Sequence, residues 1–178
     1  MSSDKSRQLN GIVNVENFIH EEWLESIARL ISDVPNSMNA ELLVKQGHRK
    51  LESETRLIAI VIGSFLQHHY NVNLNIADIH PSFFRKTKLD HRTEIHADNE
   101  NLDGCPKMGC ENFDVSAIIY FNDDFEGGEL WFPQQDLKIK PKKGSFIAFP
   151  GDARYAHGVL PISMGIRYSA PMWFTITD

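Results

Sequence analysis

Cysteine is nearly absent: Cys105 and Cys110 are the only two in 178 residues. That excludes a disulfide-stapled scaffold, and two thiols at this spacing cannot close a structural zinc site, so free thiols in a loop are expected. An excess of positive charge is also missing. Eighteen Lys and Arg stand against 24 Asp and Glu, a net charge of −6, which argues against a nonspecific grip on nucleic-acid phosphates. The one basic stretch, residues 85–92, reads as a solvated loop, with a substrate-contacting loop as the alternative. No apolar run reaches the length of a membrane span, and the polar start Met1-Ser2-Ser3-Asp4-Lys5 is unlike a signal peptide. A cytoplasmic protein without membrane contact is therefore expected. Internal repeats, low-complexity tracts and linkers are lacking too, which predicts a single domain over residues 1–178.

What is present changes period along the chain. Residues 18–31 carry Trp23, Ile27, Leu30 and Ile31 at helical spacing. A second helix is predicted over 52–69, with Leu57, Ile58, Val61, Phe65 and Leu66 on its buried side and residues 33–39 as a loop before it. Beyond Val72 the pattern shortens to that of strands, predicted at 74–79, 94–97, 115–121, 129–132, 137–139, 145–149, 156–160 and 166–175. Gly127-Gly128, Lys143-Gly144, Pro150-Gly151 and Met164-Gly165 mark turns between them. The expected fold is mainly β with N-terminal helices: a helical part at about 15–72 packed on a jelly-roll core at about 73–176.

The sharpest chemical signal is His96, Asp98 and His157, followed by Arg167. In Glu94-Ile95-His96-Ala97-Asp98 residues two apart share a strand face, so one strand offers an imidazole and a carboxylate together. His157, on a distant strand-like run, completes a facial triad, the ligand set of non-haem Fe(II) oxygenases. A structural ion-pair cluster is the competing reading. In Gly165-Ile166-Arg167-Tyr168-Ser169, Arg167 and Ser169 share a face, and an Arg among small and apolar residues needs an anionic partner. A dicarboxylate fits both ends: one carboxylate on the metal, the other on Arg167.

From about Phe83 to Trp173 the chain resembles the 2-oxoglutarate- and Fe(II)-dependent dioxygenases, in particular the prolyl 4-hydroxylase-like branch. The motifs are His96-Ala97-Asp98, the run from Ala117 to Asn122, Phe125-Glu126-Gly127-Gly128-Glu129-Leu130, the run from Pro141 to Phe149, His157-Gly158-Val159, and Gly165-Ile166-Arg167-Tyr168-Ser169. The resemblance implies a double-stranded β-helix, one Fe(II) on His96, Asp98 and His157, and 2-oxoglutarate and O2 as cosubstrates, with ascorbate as an optional reductant. It implies that Arg167 grips the distal carboxylate, aided by Tyr120 and Ser169, and that Trp173 lines the substrate side. Tyr120 also reads as an ordinary core tyrosine, and Pro171 removes a ladder donor, which leaves open whether the strand that carries Trp173 is regular or bulged.

The implied chemistry is hydroxylation of a C–H bond coupled to decarboxylation of 2-oxoglutarate. Peptidyl proline is the leading substrate, although residues 83–88 depart from the family's usual pattern of a Tyr and a Gly before His-x-Asp. A free amino acid or other small metabolite is the second reading, and a non-catalytic metal-binding jelly-roll module the third. The segments at 85–92 and 98–112, rich in Gly, Asn, Asp and Lys, suit mobile loops, and one or both are expected to close over the substrate.

Overall fold

The computed structural model describes residues 5–34, 38–76 and 85–178. In chain order its main elements are β1 (Val13–Val15), α1 (Glu21–Ser32), α2 (Ala40–Lys45), α3 (Arg49–Tyr70), β2 (Asn73–Leu74), β3 (Arg85–Thr87), β4 (Thr93–His96) and β5 (Val115–Tyr120). There follow β6 (Glu126–Gly127), β7 (Leu130–Phe132), β8 (Leu137–Ile139), β9 (Phe146–Pro150), β10 (His157–Val159), β11 (Ile162–Met164), β12 (Arg167–Phe174) and β13 (Ile176–Thr177). The larger sheet runs β1-β9-β5-β12-β3 and the smaller β4-β10-β7-β8, with every pairing antiparallel. This is the jelly roll expected from the strand count, with the helices on one side of it.

The pleat of the larger sheet separates two apolar layers. Val115, Ala117 and Ile119 of β5, Phe146 and Ala148 of β9, and Ala170, Met172 and Phe174 of β12 join the core made with Ile27, Ile31, Ile58, Ile62 and Leu66 of the helices. The alternate residues Tyr120, Ile147 and Phe149 pack instead with Leu130, Phe132 and Val159 of the smaller sheet. Helix α3 approaches closely because Gly63 has no side chain; a Cβ there would lie 2.7 Å from Ile76 Cγ2 and 2.8 Å from Phe174 Cε1. Trp23 Nε1 donates to Glu54 Oε2 at 2.6 Å, tying α1 to α3.

Several expectations need correction. Helix α3 forms where predicted, but its buried face is Leu51, Thr55, Ile58, Ala59, Ile62, Gly63 and Leu66, while Leu57, Val61 and Phe65 are exposed. The helix is apolar on both sides, and close approach to the sheet favours the stripe with small residues. Helix α2 was not anticipated; Asn39 caps it by accepting from Leu42 N at 2.9 Å. Residues 85–87 of the basic stretch form β3, paired with β12, rather than a loop. Strand β2 stops at Leu74, and the rest of the strand predicted at 74–79 falls partly outside the described residues, as does the 33–39 loop. Pro171 does not bulge β12, whose register with β5 is unbroken from Ser169↔Tyr120 to Phe174↔Val115.

Candidate metal and cosubstrate site

Between the two sheets lies a cleft lined by residues of both. One part is built by β4 and β10. His96 and His157 are direct cross-strand partners, and their rings lie with centroids 4.5 Å apart. Gly158 lets the strands come this close, since a Cβ there would stand 2.8 Å from Thr93 O. Strand β4 ends at His96, so Asp98 is not held by the strand as expected but by the bend after it, where Asp98 N and Asn99 N both donate to Gly151 O at 2.9 and 3.1 Å.

The side chains nonetheless converge. One ligand atom from each of His96, Asp98 and His157 lies within 4.8 Å of the others, with His96 Nε2 3.7 Å from Asp98 Oδ1 and His157 Nε2 3.9 Å from Asp98 Oδ2. His96 Nδ1 and His157 Nδ1 face Glu94 O at 2.9 Å and Tyr155 O at 3.2 Å. Each carbonyl accepts the Nδ1 proton, which leaves the Nε2 lone pair for a cation. Burial pushes the His157 imidazole below its ordinary value; His96 and Lys107 add to the fall, and Asp98 and the bond to Tyr155 oppose it. A neutral imidazole is the ligating form. Two nitrogens and one carboxylate oxygen on a single rim suit a borderline divalent ion such as Fe(II) and leave its remaining positions toward the cleft.

The other part of the cleft carries a buried guanidinium with two hydroxyls. Ser169 of β12 stands directly opposite Tyr120 of β5, and Arg167, two residues earlier on β12, shares the face of Ser169. All three line the cleft and are almost wholly buried. Arg167 Nη1 donates to Gly128 O at 3.0 Å. Asn122 braces the strand start on either side of Arg167, donating to Ile166 O at 2.7 Å and accepting from Tyr168 N at 2.8 Å. Among the described residues the Tyr120 hydroxyl has no hydrogen-bond partner. Burial pushes its pKa up to about 12, against the pull of Arg167, so it remains a donor. A guanidinium and two hydroxyls on one wall match a carboxylate.

Trp173 lines the same cleft, on the Arg167 face as expected, and stacks on Phe113 with centroids 5.0 Å apart. Sequence reading passed over Ser116, whose Oγ donates to Asp98 Oδ2 at 2.5 Å, and Gly128 and Gly151, which act through backbone carbonyls. No side-chain pattern advertises a carbonyl, although the positive φ of Gly128 follows from the Gly127-Gly128 pair. Cys105 and Cys110 are free. Their loop is more internally bonded than its composition implied: Asn101 N donates to Cys105 O at 2.7 Å and Lys107 N to Asn99 O at 2.9 Å.

Human prolyl 3-hydroxylase 2 is 42% identical over 103 residues, covering 52% of this chain and 14% of that protein. Chicken prolyl 3-hydroxylase 1 is 28% identical over 141 residues, 61% of this chain and 19% of that one. The chain thus spans less than a fifth of the length of these relatives. In fold, it is similar to the viral collagen prolyl hydroxylase of Paramecium Bursaria Chlorella virus-1, with TM-score 0.64, 20% identity, and coverage of 95% of this chain and 97% of that one. A Trichoplax adhaerens prolyl hydroxylase in complex with a hypoxia inducible factor oxygen degradation domain peptide fragment gives TM-score 0.68 at 17% identity, covering 98% and 88%. The family model described as the 2OG-Fe(II) oxygenase superfamily matches residues 82–175. The chain belongs to that superfamily, the dioxygenases that use Fe(II), 2-oxoglutarate and O2.

Proposed function

We propose that this dioxygenase hydroxylates prolyl residues in peptides or proteins. His96, Asp98 and His157 hold Fe(II); Arg167, Tyr120 and Ser169 hold the distal carboxylate of 2-oxoglutarate; Trp173 meets the prime substrate. The observation that carries this reading is the pairing, within one cleft, of a convergent His-Asp-His rim with a buried Arg167 beside a Tyr120 hydroxyl that has no partner among the described residues. Bound iron, with 2-oxoglutarate and O2, supplies an oxidation in which decarboxylation to succinate and carbon dioxide accompanies hydroxylation of a C–H bond. The chain supplies placement. Arg167 fixes one end of the cosubstrate so that the other reaches the rim, Ile118, Leu130 and Phe149 exclude water, and Pro171 and Trp173 offer an apolar face to a pyrrolidine ring.

One observation favours a prolyl residue over a free amino acid: the relatives and fold neighbours named above are prolyl hydroxylases. The sequence relatives are 3-hydroxylases, whereas the motifs resemble the 4-hydroxylase-like branch, so hydroxylation at either carbon fits the reading. The net charge of −6 disfavours nucleic acid as substrate, and the unbridged cysteines suit a reducing cytoplasm. Among the described residues no helix is long and apolar enough to cross a membrane.

The test is succinate release with proline-rich peptides and, in parallel, a panel of free amino acids, followed by hydrolysis of the product to distinguish 3- from 4-hydroxyproline. Peptide-dependent succinate with hydroxyproline in the product is expected. Turnover confined to free amino acids or other small metabolites would replace this reading with the metabolite hydroxylase.

A further inference from the structure

Among the described residues Ser116 is the one side-chain hydroxyl hydrogen-bonded to a residue of the metal rim. It lies on the cleft-lining face of β5 with Ile118 and Tyr120, directly opposite Trp173 of β12, and is 2% exposed. Its Oγ donates to Asp98 Oδ2 at 2.5 Å, the short range of a charge-assisted O–H···O⁻ bond. Asp98 itself stands outside β4, held by backbone bonds to Gly151, so its carboxylate is not fixed by strand geometry alone.

We propose that Ser116 is a positioning residue for the iron ligand: both carboxylate oxygens of Asp98 face the rim, Oδ1 3.7 Å from His96 Nε2 and Oδ2 3.9 Å from His157 Nε2, and the Ser116 hydroxyl engages Oδ2, so that Oδ1 is the oxygen presented to the ion. A carboxylate free to turn binds through either oxygen or both, and binding through both takes a coordination position that cosubstrate or oxygen requires. Strand β5 then serves both ends of the cleft: Ser116 orients the metal carboxylate, and four residues on, Tyr120 reaches the cosubstrate carboxylate. This inference rests on the reading of Asp98 as a metal ligand.

The test compares the parent with Ser116→Ala, Ser116→Thr and His157→Ala under anaerobic conditions. Three quantities are read: the Co(II) dissociation constant, the visible spectrum of the Co(II) and 2-oxoglutarate complex, and the unfolding temperature of the metal-free protein. Ser116→Ala should bind Co(II) about 10- to 100-fold more weakly, the usual effect of removing a residue that orients a ligand. Its spectrum should shift while metal-free unfolding stays near the parent's, and Ser116→Thr should restore both metal readouts. Parent-like affinity and spectrum in Ser116→Ala overturn the proposal, and so does a loss that Thr fails to reverse, which assigns the effect to packing. If Ser116→Ala does not fold, Ser116→Cys, close in size and a poorer donor, is read in its place, and a parent-like result again overturns it. His157→Ala separates the two levels: if it loses the metal while Ser116→Ala does not, only the role of Ser116 falls, and if both bind like the parent, the metal site itself falls.

Discussion

Replacing Tyr120 by Phe deletes one oxygen atom from a fully buried position, and the account predicts opposite signs for its two consequences. Among the described residues that hydroxyl has no partner, and a buried polar group left without one costs about 1–3 kcal/mol. Removing it should therefore stabilise the metal-free protein, by about 2–4 °C in unfolding temperature for each kcal/mol recovered in a chain of this size. On the proposed reading the same hydroxyl donates to the 2-oxoglutarate carboxylate in the complex, an interaction with a charged group worth about 1.5–3 kcal/mol. Its loss should weaken 2-oxoglutarate about 10- to 100-fold. Burial holds the hydroxyl pKa at about 12, so the group stays protonated and the weakening should be equal in mildly acidic and mildly alkaline buffer. Thermal unfolding of the metal-free protein and anaerobic titration of the Fe(II)-loaded protein with 2-oxoglutarate measure the two effects. A destabilised Tyr120→Phe with unchanged 2-oxoglutarate affinity would refute the reasoning and make Tyr120 a core residue only.

Gly158→Ala places a Cβ 2.8 Å from Thr93 O and should push β10 from β4, lowering stability by about 1–3 kcal/mol and weakening Fe(II) binding as His157 leaves His96. Denaturant unfolding and metal titration check both effects, and unchanged metal affinity would show that the two strands do not set the rim. Trp173→Ala should raise KM for a peptide substrate while leaving Fe(II) and 2-oxoglutarate affinities within about twofold, because Trp173 stacks on Phe113 at the cleft rather than on the metal trio. An unchanged peptide KM would remove Trp173 from the substrate side.

The jelly roll was legible from period-two patterns, which fix side-chain direction within a strand, whereas Asp98 joins His96 through the bend bonded to Gly151 O and was legible only as part of the His96-Ala97-Asp98 motif. His96 and Asp98 point the same way although β4 stops before Asp98, and Arg167, Ser169 and Trp173 share a face over six residues despite Pro171. The α3 face was not legible. Leu57, Val61 and Phe65 make as good an apolar stripe as Ile58, Ile62 and Leu66, and only Ala59 and Gly63 mark the side that the sheet can approach. Helix α2 is too short for periodicity to register, though Asn39 before helix-forming residues was a usable sign. Ser116 left no trace, because a serine in Val115-Ser116-Ala117-Ile118-Ile119-Tyr120 reads as a small strand residue until the fold sets it against Asp98.

The central claim is that His96, Asp98 and His157 form one iron site with room for 2-oxoglutarate. Its most direct test is anaerobic titration of the purified protein with Fe(II) in the presence of 2-oxoglutarate, followed by metal content and visible absorption, in the parent and in His157→Ala. One Fe(II) per chain and a weak visible charge-transfer band in the parent, both lost in His157→Ala, is the predicted result. A His157→Ala protein that binds one Fe(II) and shows the same band would contradict it.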